Sequence, residues 1–301
     1  MLLKESGSTE ARDPSVIYHN GSYYHCFASG FNSLCIAKAS APGELISAEP
    51  VKVYTPEENT AYSKELWAPE LHVIDGKCYI YVACDDGDNY NHRMYVLENG
   101  SSDPLAPYKM AGKLSDSTDK WAIDGTVFKY GGQLYTVWSG WEGDINVRQN
   151  LYIAKMSDPR TISSERVMIS TPEYDWEMRD CIGDGIHAPF INEGPFAYER
   201  DGELMLLYSA SGSWANHYCI GIIRLKGENL LDPASWEKQD FPALSLDDGY
   251  NGPGHCSVFS DGACDYIAFH TYDEGHTKNW NCVHAIVSPF EIKDGKIIIK
   301  K

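Results

Sequence analysis

Nowhere in these 301 residues is there an apolar run of about 20, the length a membrane-crossing helix needs. The opening Met1-Leu2-Leu3-Lys4 turns polar before it could build the apolar core of a secretory signal. A soluble, cytoplasmic chain is the expectation. Positive charge is scarce, with 25 Lys and Arg against 43 Asp and Glu and a net charge of −18. So acidic a surface repels nucleic acid, polyphosphate and anionic membranes, none of which is expected as a partner, while a neutral ligand is indifferent to it. The nine cysteines are odd in number and lack Cys-x-x-Cys spacing, which argues against both a zinc site and a complete disulfide framework. They read as reduced thiols packed as small hydrophobes. No linker, charge run or low-complexity segment divides the chain, so residues 1–301 are expected to form a single domain.

What the chain does have is a repeat, and its clearest copy is Asn192-Glu193-Gly194-Pro195-Phe196 followed by Asp201-Gly202. Proline cannot continue a helix, and Asp-Gly between apolar runs is a strong hairpin signal because a two-residue type I′ turn needs positive φ at both positions. The unit reads as strand, tight turn, strand. At the same offset Pro14 precedes Asn20-Gly21, Pro69 precedes Asp75-Gly76, Gly125 precedes Gly131-Gly132, and His255 precedes Asp261-Gly262. Each turn leads into a strand-like run, such as Tyr79-Ile80-Tyr81 or Leu204 to Tyr208. Five units, each near one fifth of the chain, predict an all-β fold, a five-bladed β-propeller. Residues 1–11 are expected to add at most an edge strand, the segment 290–299 a closing hairpin, and Asp175 to Ile191 a long loop feeding Glu193.

In a propeller the first strand of each blade lines the axis, so the entries of these strands converge on one funnel. Those entries carry Asp13, Asp124 and Glu193, together with Trp67 and His255. Clustered carboxylates push one another's pKa values apart, which supplies an ionised base and a protonated acid near neutral pH. Glycoside hydrolysis needs that pair. Trp67 stands where an indole can stack on a sugar, Glu70 where it can contact substrate or bond a neighbour, and Trp141, Trp214 and Trp280 are candidates for either the rim or the core.

Taken together, Arg12-Asp13-Pro14-Ser15, Trp67-Ala68-Pro69-Glu70, Ala122-Ile123-Asp124-Gly125, Asn192-Glu193-Gly194-Pro195 and Gly254-His255 resemble glycoside hydrolase family 43. That family comprises five-bladed propellers acting on arabinose- and xylose-containing polysaccharides with inversion at the anomeric carbon. The resemblance implies that Asp13 is the general base, Glu193 the general acid and Asp124 the carboxylate that orients the acid and raises its pKa. Substrate contacts are expected at Trp67, Glu70, Trp141 and Trp214, and the resemblance implies a calcium ion at the pocket floor that His255 faces partly through water. The implied substrate is a pentose-containing oligosaccharide, cut from its end to release α-L-arabinofuranose or β-D-xylose. An inverting pair is expected to hold its carboxyls about 6.5–9.5 Å apart to admit water. One feature departs from the family: no arginine stands between Gly262 and Val287, where His270, His276, Lys278 and His284 are found instead. Two other readings compete. A retaining, fructosidase-like five-bladed enzyme would share the Arg-Asp-Pro triplet, but its Asn-Asp-Pro-Asn and Glu-Cys signatures are absent. A non-catalytic carbohydrate-binding propeller has no use for three converging acids, whose burial costs stability.

Overall fold

The computed structural model describes residues 1–5, 9–273 and 282–300. Its strands group into five antiparallel blades, and the fold is a five-bladed β-propeller. The innermost strands are Ser15–His19, Lys64–Ile74, Ala122–Tyr130, Phe190–Arg200 and Gly254–Ser260. Each touches the next in chain order, and the fifth touches the first, which closes the ring. The N-terminal strand Leu2–Lys4 pairs with Val283–Lys293 of the last blade, so the two ends of the chain share one sheet. Phe290 to Ile299 forms the expected hairpin on the same strand. Blades three and four are further joined by a short parallel pairing, Arg148 with Phe190 and Gln149 with Ile191.

The turn chemistry holds in four blades. Asn20-Gly21, Asp75-Gly76, Gly131-Gly132 and Asp201-Gly202 all have positive φ at both positions, as a type I′ turn requires. Blade five differs. Its hairpin closes from Ser260 to Asp265 across four residues, with Asp261 Oδ1 accepting from the Ala263 and Cys264 N–H groups. The turn is longer than a two-residue one, so counting back from Gly262 places the fifth anchor one residue early.

Apolar faces fill the seams between blades. Leu34, Ile36, Leu71 and Ile80 pack between blades one and two, and Leu207, Ile222, Ile267 and Phe269 between four and five. Serines stitch the inner strands across these seams: Ser257 Oγ donates to the Pro14 carbonyl at 2.7 Å and accepts from Val16 N–H at 3.1 Å, and Ser15 Oγ accepts from Leu71 N–H at 3.0 Å. Six of the nine cysteines are buried, as expected of thiols used for packing. No helix among the described residues is long and apolar enough to cross a membrane.

Candidate active site

The same irregularity opens four of the five blades. Trp67 to Glu70 faces Ala83 to Tyr81, Ile123 to Thr126 faces Ser139 to Val137, Glu193 to Phe196 faces Ser209 to Leu207, and Gly254 to Ser257 faces His270 to Ala268. Each innermost strand therefore carries one extra residue, a β-bulge that bends the strand and re-aims its side chains. The first bulged residue has positive φ in every case: Ala68 at 45°, Asp124 at 57°, Gly194 at 52° and His255 at 47°. Asp13, just before the first blade's inner strand, has φ of 50° and completes the set. A left-handed backbone costs a non-glycine residue about 1–2 kcal/mol, and such strain gathers at functional sites. His255 thus occupies the position of Asp13 and Asp124, not one residue beyond it, which corrects the sequence alignment of blade five. Gly194 has a packing reason too, since a Cβ there would lie 3.1 Å from Cγ and Nδ1 of the His255 ring.

The strand entries bring five polar side chains into one cavity of about 410 Å³, a size typical of small-molecule sites. Asp13, Asp124, Glu193 and His255 line it with Arg12, and Trp67, Trp121, Trp214 and Phe31 give it aromatic walls. The structure therefore brings together all three expected catalytic carboxylates, His255, Trp67 and Trp214. Two expected substrate contacts do not belong to this surface. Trp141 is only 2% exposed and stacks beneath Trp121 with ring centroids 4.7 Å apart, so it supports the wall without reaching the cavity. Glu70 is buried with its Oε2 2.7 Å from His72 Nε2, in the hydrogen-bonding role weighed against substrate contact. Trp280, His276 and Lys278 lie outside the described residues. A larger groove of about 600 Å³ between blades four and five is lined by Arg200, Asp265 and their neighbours, and none of the strand-entry acids reaches it.

Asp13 sits among cations and imidazoles. Its Oδ1 lies 3.1 Å from His255 Nδ1 and 3.4 Å from His270 Nδ1, and its Oδ2 is 3.9 Å from Arg12 Nε. The Asp13 N–H donates to His270 Nδ1 at 3.2 Å, which fixes the strained backbone. Burial alone would raise this carboxyl, but His255, Arg12 and His270 together bring it well below the usual carboxylate range. Burial in turn pushes both imidazoles down, against the pull of the Asp13 charge.

Glu193 and Asp124 are in the opposite situation. Burial raises Glu193 to about 7, with the Asp13 charge adding to the effect against the pull of the Tyr218 hydrogen bond. Burial likewise drives Asp124 up, reinforced by Glu193 and Asp13, so this neighbouring pair retains a proton near neutral pH. Asp124 Oδ2 accepts from Gly194 N–H at 3.0 Å, tying this carboxylate of blade three to the backbone beside Glu193. Glu193 Oε1 accepts from the Tyr218 hydroxyl at 2.8 Å, and the Tyr218 ring stacks on His270 at 5.5 Å. Tyr218 fits only because residue 254 is glycine; a Cβ there would fall 1.9 Å from its ring. The long loop before Glu193 is anchored as well. Glu177, fully buried, accepts from Asn192 Nδ2 at 2.8 Å, Tyr208 hydroxyl at 2.9 Å and Lys238 Nζ at 3.0 Å, which pins the residue preceding Glu193.

A calcium ion facing His255 would have to draw most of its shell from water. Calcium takes six to eight oxygen ligands. Among the described residues no three His, Cys, Asp or Glu side chains gather as metal ligands, and His255 turns Nδ1 toward Asp13. No chemistry below runs through a metal.

Sequence reasoning missed Arg12, Phe31, Trp121, Tyr218 and His270 as members of the site. Arg12 could have been found, because it stands two residues before Pro14 just as Glu193 stands two before Pro195. His270 was in view only as one of the residues standing in for the missing arginine. For Tyr218 nothing in its neighbours gave a signal.

Comparison with known proteins agrees with this geometry. The family model for glycosyl hydrolases family 43 matches residues 7–297. The chain is 31% identical over 267 residues to an extracellular exo-α-(1→5)-L-arabinofuranosidase of Streptomyces chartreusis, covering 86% of this chain and 79% of that one. It is 33% identical to α-L-arabinofuranosidase 43 of Humicola insolens, covering 88% of this chain but only 54% of the relative, so it spans about half of that longer protein. The crystal structure of an α-L-arabinofuranosidase from Lactobacillus brevis superposes with a TM-score of 0.84 at 31% identity, over 96% of this chain and 93% of the other.

Proposed function

The chain belongs to glycosyl hydrolases family 43, and from that premise we propose that it is an exo-acting, inverting α-L-arabinofuranosidase that trims terminal arabinose from arabinan- or arabinoxylan-derived oligosaccharides. One observation carries the reading: a single cavity holds an ionised Asp13 and a Glu193 whose pKa is raised to about 7, the two protonation states that hydrolysis by a water molecule requires. Asp13 takes a proton from water as its oxygen attacks the anomeric carbon. The bond from that carbon to the leaving oxygen breaks, and Glu193 delivers its proton to that oxygen. Solvent then returns a proton to Glu193 and removes one from Asp13. Burial and the Asp13 charge keep Glu193 protonated until that moment, and the hydrogen bond that Asp124 accepts from Gly194 N–H holds the acid's strand in place.

Arabinofuranose is placed ahead of xylose because the relatives above 30% identity are named arabinofuranosidases, whereas the xylosidase structure at 16% identity supports the fold alone. Pockets that lose a fitted contact discriminate by about tenfold or more. Nitrophenyl α-L-arabinofuranoside should therefore be cleaved at least about tenfold faster than nitrophenyl β-D-xylopyranoside. Equal or faster turnover of the xyloside would reverse the assignment of the sugar. An odd number of cysteines, six of them buried, suits a reducing compartment and supports a cytoplasmic location, which cell fractionation would test.

A further inference from the structure

Two side-chain amides on the cavity wall have no part in the chemistry above. Gln149 and Asn146 both line the cavity, and the carbonyl oxygens Oε1 of Gln149 and Oδ1 of Asn146 are buried without a hydrogen-bond partner. Gln149 is more than nine-tenths buried, at 7% exposure. Buried polar groups are almost always paired, so an orphaned amide facing a cavity calls for a donor from a ligand. Either orientation of the amide gives the same conclusion, because one end accepts, the other donates, and a sugar hydroxyl does both.

The backbone says where along the substrate these amides act. Gln149 is not on a loop tip: it pairs with Ile191 in the parallel bridge between blades three and four, on the strand that delivers Glu193 two residues later. Asn146 stands between Ile145 and Val147, exposed by 62% and 37%, and so marks the mouth. Asp13, Asp124 and His255 line the same cavity, carried by blades one, three and five. An exo-acting enzyme seats the terminal sugar against these residues and meets the glycosidic oxygen with its acid. The next sugar must then leave along the wall beside Glu193.

Resting on the arabinofuranosidase reading, we propose that Gln149, assisted by Asn146, binds hydroxyls of the sugar on the leaving side and so makes the enzyme selective for oligosaccharides over other arabinosides. The test uses two substrates, α-1,5-linked arabinotriose and nitrophenyl α-L-arabinofuranoside, whose aglycone carries no hydroxyl. Gln149→Met keeps the length of the side chain and removes its polar end. It should lower kcat/KM on arabinotriose about tenfold, the worth of a good hydrogen bond, and lower it clearly less on the aryl substrate. Its melting temperature should not fall, because an unsatisfied group has been removed. Equal losses on the two substrates, or no loss on arabinotriose, overturn the proposal. Should Gln149→Met melt early, Asn146→Ala in its exposed segment is expected to give the same split in smaller measure, and an even loss there overturns the proposal too. A wild-type protein inactive on both substrates would instead remove the arabinofuranosidase reading and this proposal with it.

Discussion

Replacing Asp13 by alanine is expected to lower turnover by about 10²–10⁴-fold, and by the same factor on a natural arabino-oligosaccharide and on a nitrophenyl arabinoside. Water must be activated whatever the leaving group, so a lost base cannot be compensated by a better one. The carboxylate is set up for this task by its surroundings. His255 Nδ1 at 3.1 Å and Arg12 Nε at 3.9 Å hold it ionised against the cost of burial. The substitution also places alanine at a φ of 50°, which alanine tolerates worse than aspartate. Asp13→Asn is therefore the control, since asparagine accepts that backbone and preserves the shape. If Asp13→Asn retains activity within a few-fold, Asp13 is not the base.

Glu193 should behave differently. An alkoxide leaves poorly and a nitrophenolate well, so Glu193→Ala is expected to cost about 10²–10⁴-fold on arabinotriose and far less on the nitrophenyl arabinoside. Equal losses on both would remove Glu193 from the acid role. The pH profile offers a second reading. With Glu193 raised to about 7, kcat/KM on the natural substrate should fall above about pH 7, and that alkaline limb should disappear in Glu193→Ala. The same shift bears on stability. Since the folded-state pKa lies above the unfolded one of 4.5, the buried carboxyl does no harm at low pH and costs stability increasingly as pH rises from the unfolded value through about 7. Glu193→Gln, which cannot ionise, should thus melt higher than wild type at pH 8 and at the same temperature at pH 4.

The fold was readable because its turns are chemically distinctive. Asn-Gly, Asp-Gly and Gly-Gly pairs at a fixed distance from Pro14, Pro69, Gly125 and Pro195 repeat a backbone requirement, and a requirement of that kind survives any change in the packing around it. The fifth blade broke the count because its turn is held by Asp261 bonding to Ala263 and Cys264, a longer geometry that the same Asp-Gly letters also permit. The carboxylates of the site followed from their common place in the repeat. The aromatic residues did not, since nothing local tells an indole that faces the cavity, as Trp67 and Trp214 do, from one that lies under another ring, as Trp141 lies under Trp121. Tyr218 and His270 come from outside the strand entries, and their role exists only because Gly254 leaves room for one ring and Asp13 N–H points at the other. Contacts between distant segments of this kind leave no mark on either segment alone.

The assignment of Asp13 as a base acting through water, with Glu193 as acid, is tested most directly by the configuration of the first-formed product. A proton NMR time course of α-L-arabinofuranoside hydrolysis should show the β-anomer of arabinofuranose appearing first, with the α-anomer growing in only as the free sugar mutarotates. An α-anomer formed first would mean that a carboxylate had attacked the sugar carbon itself, and the base role given to Asp13 would be wrong.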